Sequence, residues 1–181
     1  MLCRALMVCA VIGSTAPVEA TVLVPVTLRE LAREAGAVVR GRVVSADARF
    51  TPDRRAIETL VTLDAEETLK GALGSTVQFL VPGGTLGRYR SIFVGAPAFA
   101  PGQRVIVFLG WNGPSYPYLL GLSQGVFRLQ IDDVNRWLVT PSPMPPPLSA
   151  PVPVVRGDPA RRPWLLSEFE QQVRALLAEA R

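Results

Sequence analysis

Hydrophobic and polar residues alternate along much of the middle of the chain, which is the pattern of β-strands with one buried face. The clearest example is "AIETLVTLDAEETL", in which Ile57, Val61 and Leu63 fall on one face of an extended chain. Glu58 and Asp64 fall on the opposite face. This segment is predicted to be a half-buried antiparallel strand.

Further strands are predicted on both sides of this segment. The first, "AVVRGRVVSADARF", contains Gly41, which indicates a bulge or a bend. The others are "TVQFLVP", "SIFV", "RVIVFLG", "YLLG", "GVFRLQI" and "WLVT". "RVIVFLG" is the most apolar, as expected of a central buried strand. Strands at intervals of roughly 8–15 residues, with no helical pattern between them, predict a small antiparallel OB-like barrel or sandwich.

Two helices are predicted to flank the strands. In "VTLRELAREAG", Thr27 and Glu30 form a capping box and Gly36 ends the helix. In "SEFEQQVRALLAEAR", Ser167 and Glu170 form a second capping box. Its apolar stripe predicts a helix that docks on the barrel, with a partner-binding helix as the alternative. The predicted fold is therefore mainly β, with a short N-terminal helix and a C-terminal amphipathic helix.

The ends of the chain differ in composition from the strand region. Residues 1–20 contain the apolar run "ALMVCAVIG" and the small-x-small sequence "VEA", which predict a signal peptide cleaved after Ala20. Residues 21–140 then form the β-barrel domain, residues 141–163 a proline-rich linker and residues 164–181 the C-terminal helix. No later segment has the ~20 apolar residues that span a bilayer. The sequence thus predicts an exported protein, periplasmic or extracellular, without a transmembrane anchor in the mature chain.

Composition narrows the chemistry that the chain can perform. Cys3 and Cys9 both lie in the predicted signal peptide, and there is no histidine. The mature chain therefore lacks the residues for a disulfide framework, a thiol nucleophile, a Ser-His-Asp triad or a histidine zinc site, and no cofactor is predicted. The net charge is +4, but Lys70 is the only lysine and the arginines are scattered. This pattern indicates a solvated surface more than a nucleic-acid site.

Three short motifs have both a chemical and a structural interpretation. "GTLG" resembles a phosphate loop, but strands flank it and no Lys-Ser/Thr follows, so it predicts a turn. Asp64 and Glu66 share one strand face, as a pair of glycosidase carboxylates would, or as ordinary solvated acids do. Asp132 and Asp133 lack the spacing of a calcium loop and predict a tight turn.

Aromatic and basic residues in two loops form the candidate partner surface. These residues are Arg88, Tyr89, Arg90, Trp111, Tyr116 and Tyr118. On an OB-like barrel they would make a stacking and basic surface. The alternative is that the aromatic residues cap one end of the barrel.

Five segments resemble, in order, a widespread set of uncharacterised exported bacterial proteins. The segments are "VVRGRVVSA", "ETLVTLDAEETLKG", "VQFLVPGG", "VGAPAFAPGQRVIVFLG" and "YLLGLSQGVFRL". The resemblance covers about Ala37 to Ile131, and the chain departs from it at Gln103, where an acid is usual, and at Val126, where a lysine is usual. It implies an exported β domain with no assigned reaction.

The strand order also resembles, more distantly, the OB-type barrel of netrin-like and metalloproteinase-inhibitor domains. Those domains inhibit through a disulfide-tethered N-terminal cysteine, which the mature chain lacks, so the resemblance extends only to the fold.

Three hypotheses for function follow. The first is a non-enzymatic exported domain that binds an extracytoplasmic protein, with a protease among the candidates. The second is an OB-like module that binds a polyanion or a saccharide through arginines and aromatic rings. The third, with the least support, is a hydrolase that uses Asp64 and Glu66.

Overall fold

A computed structural model describes residues 24–113, 116–142 and 163–179. The predicted signal peptide with its cleavage site after Ala20, and nearly all of the proline-rich linker, lie outside the described residues. The strand region and both predicted helices lie almost entirely within them.

The described residues form two helices and ten strands. The helices are α1 (Leu28–Glu34) and α2 (Leu166–Glu179). The strands are β1 (Ala37–Phe50), β2 (Ile57–Lys70), β3 (Thr76–Pro82), β4 (Gly84–Leu86), β5 (Tyr89–Ser91), β6 (Arg104–Gly110), β7 (Tyr118–Leu119), β8 (Val126–Ile131), β9 (Trp137–Pro141) and β10 (Trp164–Leu165). A 3₁₀ turn at Leu122–Gly125 precedes β8.

Five strands close into a barrel in the order β1-β2-β3-β7-β6, and β6 returns to pair with β1. All neighbours are antiparallel except β3 and β7, which pair in parallel at Leu80 and Tyr118. The prediction of a small, mainly β barrel is confirmed, and the chain forms the barrel rather than the sandwich. β1 bends around the ring because its register with β2 shifts at three places, one of them between Arg40 and Gly41.

The barrel interior is filled by alternating apolar side chains of the ring strands. Fully buried members include Val39, Leu63, Phe79 and Val107. Phe99 packs edge-on against Phe79 with ring centroids 5.5 Å apart, and it is only partly buried. It therefore covers one end of the barrel.

A second layer is built on the outside of β6. Along one edge, β6 pairs with β7 at Leu109 and Gly110 and with β8 at Val105–Val107. β9 pairs with β8, and β10 pairs with β9, so that the sheet continues beyond the barrel. Helices α1 and α2 pack over this extension and bury Ile106, Phe108 and Phe169 in a second core. The prediction that the C-terminal helix docks on the barrel is thus confirmed, and "RVIVFLG" is buried on both faces as expected.

The first capping box is confirmed and the second is wrong. The Thr27 side chain accepts from the Glu30 amide, and the Glu30 carboxylate accepts from the Thr27 amide. At the other end, β10 leads directly into α2, so Ser167 lies inside the helix rather than before it. Glu170 instead lies 2.9 Å from Arg40 of β1.

Arg40 joins helix α2 to the barrel through a cluster of carboxylates. Its guanidinium lies 3.1 Å from Glu66, 2.8 Å from Glu67 and 2.9 Å from Glu170. Arg174 of α2 also contacts Glu67. Burial alone would lower the pKa of Arg40, but the hydrogen bond to Glu67 and the surrounding carboxylates raise it. The guanidinium therefore stays charged, and the cluster holds β1, β2 and α2 together.

Gly41 is required by the close approach of β1 and β2. A Cβ atom at this position would lie 2.5 Å from the Asp64 carbonyl oxygen, whereas one at Gly74 would meet nothing within 4 Å. We expect Gly41→Ala to lower the free energy of unfolding by about 1–3 kcal/mol through overpacking. We expect Gly74→Ala to change it by less than about 0.5 kcal/mol. Urea denaturation of both variants checks this, and equal effects would contradict it.

The Arg40 cluster should contribute far more than an exposed ion pair. The Arg40 side chain is 21% exposed, whereas Arg42, 3.4 Å from Asp64, is 52% exposed. We expect Arg40→Met to cost about 3 kcal/mol, since it leaves three carboxylates without their shared cation. Arg42→Met should cost at most about 1 kcal/mol. A loss of stability that is the same for both variants in urea denaturation would show that the cluster does not anchor α2.

Candidate functional site

The carboxylates proposed for a hydrolase are engaged in ion pairs between strands. Asp64 lies 3.4 Å from Arg42, and Glu66 lies 3.1 Å from Arg40 and 2.7 Å from Arg104. Paired in this way, they hold neighbouring strands together and do not face each other across a cleft. The geometry gives no support to the hydrolase hypothesis.

Asp132 organises the turn between β8 and β9, as predicted. Its carboxylate accepts hydrogen bonds from the amides of Val134 and Arg136, at 3.0 and 2.8 Å, and from the Arg136 Nε at 2.9 Å. These bonds, led by the Arg136 amide, lower the pKa of Asp132. Among the described residues, no three or more His, Cys, Asp or Glu side chains are grouped so that they could hold a metal ion.

The glycine-rich segment after β3 forms a hairpin that lies against one end of the barrel. Gly83 donates its amide to the Ile57 carbonyl at 2.9 Å, and Thr59 Oγ1 donates to the Gly83 carbonyl at 2.7 Å. Gly84 approaches so closely that a Cβ would lie 2.7 Å from Thr59 Oγ1. At Gly87, with φ of 57°, the chain turns from β4 into β5. The prediction of a turn is therefore right only for Gly87, because Gly84–Leu86 form the strand β4.

The prediction that "SIFV" forms a strand is wrong for most of its length. β5 ends at Ser91, and Ile92, Phe93 and Val94 follow without pairing. Pairing stops because the short partner β4 begins only at Gly84, opposite Ser91. The apolar side chains that follow are therefore left on the surface.

These side chains belong to a mixed apolar and basic surface, called here the hairpin surface. Its members are Phe50, Arg54, Arg88, Tyr89, Arg90, Ile92, Phe93 and Val94. Ile92 is 74% exposed and Tyr89 is 50% exposed. Tyr89 packs edge-on against Phe50 with ring centroids 6.1 Å apart, which joins the hairpin to the end of β1. Exposed apolar patches of this kind mark binding surfaces in folded proteins.

The arginines of the hairpin surface have no carboxylate partner among the described residues. Arg54 lies 5.6 Å from the centre of the Phe50 ring, and Arg88 lies 5.1 Å from that of Tyr89, whose hydroxyl it bonds at 2.9 Å. Within residues 24–113, 116–142 and 163–179, no carboxylate lies within ion-pair distance of Arg90 either. The other described arginines, apart from Arg128, each lie within ion-pair distance of a carboxylate. Uncompensated positive charge is therefore concentrated beside the exposed apolar residues.

A cleft of about 360 Å³ lies between the hairpin and the barrel. Its lining includes Ala46 and Ala48 of β1, Phe93 and Ala98 of the segment after β5, and Arg90. The two alanines leave space where larger side chains would fill it. The cleft opens beside the hairpin surface.

The structure divides the six residues predicted from the sequence. Arg88, Tyr89 and Arg90 lie on the hairpin at the end of β1. Trp111 packs against Gly36, before the start of β1, and Tyr118 contacts the backbone at Gly110. Trp111 therefore lies near the start of β1, away from the hairpin at the end of that strand. Tyr118 also pairs with Leu80 of β3, the strand that leads into the hairpin.

Tyr116 lies beside the last residues of β1, at the strand end that also contacts the hairpin. Its ring centre is 5.4 Å from the guanidinium of Arg49, which is ion-paired with Glu58 at 2.9 Å. The sequence prediction did not include Phe50 or Arg54 at the β1–β2 turn. An aromatic residue directly before the charged turn "TPDRR" was the available signal.

The chain matches no protein-family model and no curated protein. Its resemblance to exported bacterial proteins therefore stays a prediction from the quoted motifs. In the described part of the chain, neither helix has the length and hydropathy needed to cross a bilayer.

The apolar side chains of the hairpin surface should be dispensable for stability. Ile92 is 74% exposed, whereas Ile106 of β6 is 0% exposed. We expect Ile92→Ala to change the free energy of unfolding by less than about 0.5 kcal/mol. The matched variant Ile106→Ala should lose about 2–5 kcal/mol because it leaves a cavity in the second core. Urea denaturation measures both, and a large loss at Ile92 would show that its side chain supports the fold.

Proposed function

We propose that the chain is an exported, non-enzymatic domain that binds an extracytoplasmic protein through the hairpin surface. The observation that carries this proposal is the contact of exposed apolar and aromatic side chains with arginines that lack carboxylate partners. Tyr, Phe and Arg are enriched in protein interfaces and supply much of their binding energy. The motif of residues 1–20 supports export.

The geometry of the surface favours binding without large rearrangement. Arg88 is held over the Tyr89 ring and bonded to its hydroxyl, and Tyr89 packs on Phe50. Side chains that are already ordered lose less conformational entropy when a partner binds. The guanidinium groups are thus held where carboxylates of a partner can reach them.

A polyanion or a saccharide is the second candidate ligand, and the unpaired arginines Arg54, Arg88 and Arg90 are what favour it. A polyanion would gain from these charges, but it would gain little from Ile92 and Val94, which are apolar and exposed. The apolar side chains therefore favour a protein partner.

Site-specific crosslinking tests the protein-binding proposal. The photoreactive residue p-benzoylphenylalanine is placed at Tyr89, or as a control at Val134, which is 66% exposed in the turn between β8 and β9. In cells that export the chain, we expect a protein adduct of one defined mass from position 89 and none from position 134. Absence of an adduct at position 89, or equal adducts at both positions, would contradict the proposal.

Separate substitution of the apolar side chains and of the arginines distinguishes a protein partner from a polyanion. If a protein binds, replacing Ile92 and Phe93 with serine should reduce the adduct at position 89 more than replacing Arg54, Arg88 and Arg90 with glutamine. For a polyanion, inorganic polyphosphate should bind with an affinity that falls linearly with salt on logarithmic axes. That binding should then require the arginines and tolerate the serine variants, a result that would overturn the protein-binding proposal.

A further inference from the structure

The cleft beneath the hairpin is lined by both apolar and polar residues and by one charged side chain that has no ion pair in the described part of the chain. Ala46 and Ala48 are two residues apart on β1 and face the same side of the strand. Phe93 and Ala98 provide further apolar walls, while Thr59, Thr85 and Ser91 add polar groups. Among the described residues, Arg90 is the one charged residue in the lining. The volume of about 360 Å³ is at the small end of the range for ligand sites, which suits one or two side chains rather than an extended ligand.

Arg90 has no compensating charge in this setting. No acidic side chain occurs among the described residues that line the cleft. Arg90 also has no ion pair within the described part of the chain, in contrast to Arg49 and Arg104, which pair with Glu58 and Glu66. A ligand that fills the hollow and carries an anionic group next to the apolar one would complement both features.

We propose that the cleft receives an apolar side chain of the partner protein, and that Arg90 pairs with a carboxylate adjacent to that side chain. The inference rests on the proposed function and specifies the partner's contact segment as an apolar residue flanked by an acidic one. Concavity favours this occupant over a membrane surface, since a flat bilayer would cover Ile92 and Val94 but would not fill a hollow between hairpin and barrel.

Short capped peptides test the specificity directly. Three peptides are titrated into the isotopically labelled chain, purified after export, and followed by NMR: acetyl-Gly-Phe-Asp-Gly-amide, the matched Phe-Lys peptide and the matched Ser-Asp peptide. We expect saturable shifts at residues 46–48, 90–93 and 96–99 with the Phe-Asp peptide. The two control peptides should bind about tenfold more weakly or less, a difference in binding free energy of about 1.4 kcal/mol. Equal responses to all three peptides would overturn the inference.

Variants of the chain test the roles of the cleft and of the Arg90 charge separately. Ala98 is exposed and lines the cleft, so Ala98→Trp should fill the hollow and abolish the response to the Phe-Asp peptide. Arg90→Glu should reverse the preference, so that the Phe-Lys peptide binds better than the Phe-Asp peptide. Arg55→Gln is the control, because Arg55 is 88% exposed and lies outside the lining. A preference that survives Arg90→Glu would exclude the proposed charge pair.

Two further measurements identify other occupants. Sedimentation with phosphatidylglycerol vesicles that depends on Ile92, without any peptide response, would assign the surface to a membrane and overturn the inference. Concentration-dependent dimerisation that Ala98→Trp abolishes would assign the cleft to a second copy of the chain, with the same consequence. If position 89 crosslinks to a protein while the Phe-Asp peptide fails, only the cleft inference fails. If both fail, the proposed function fails with it.

Discussion

The pairing of β6 with β1 is the interaction on which the rest of the structure depends. Six residue pairs, from Ala37–Leu109 to Arg42–Arg104, close the ring of five strands. β6 and the first residues of β1, such as Val38 and Val39, are buried on both faces, because the barrel core lies on one side and the layer with α1 and α2 on the other. A change in this register would move side chains such as Ile106 from one core to the other.

The contacts that stabilise the fold are concentrated around the first half of β1, where it pairs with β6. The ion pairs of Arg40 with Glu66, Glu67 and Glu170 join the first half of β1 to β2 and α2. The hairpin lies at the opposite end of β1, against Thr59 and Ile57. Arginines in the first region are paired with carboxylates, whereas those of the hairpin surface have no such partner in the part of the chain that the structure describes. The separation explains how the chain tolerates exposed apolar and basic residues without losing its fold.

The helices and strands were more predictable from the sequence than the hairpin surface, because they follow from local patterns. Strand alternation and the capping box at Thr27 are local patterns, and they place α1 and most of the strands. Ser167 failed as a cap because β10 pairs with β9 up to the first turn of α2, a contact set by a distant segment. The hairpin surface likewise depends on the contact between the rings of Tyr89 and Phe50. These residues are distant in the sequence, so no local pattern predicts their contact. The sequence predicts Arg88, Tyr89 and Arg90 as part of one surface with Trp111, whereas their separation from Trp111 follows only from the barrel.

Amide hydrogen exchange with a partner bound tests the central claim most directly, namely that the hairpin surface, and not the docked helix, is the binding face. The partner is the protein that crosslinks at position 89, and exchange is compared between the free and the bound chain. The account predicts slower exchange in residues 84–94 and at the end of β1, with α2 unchanged. Slower exchange in α2 with no change in residues 84–94 would contradict it.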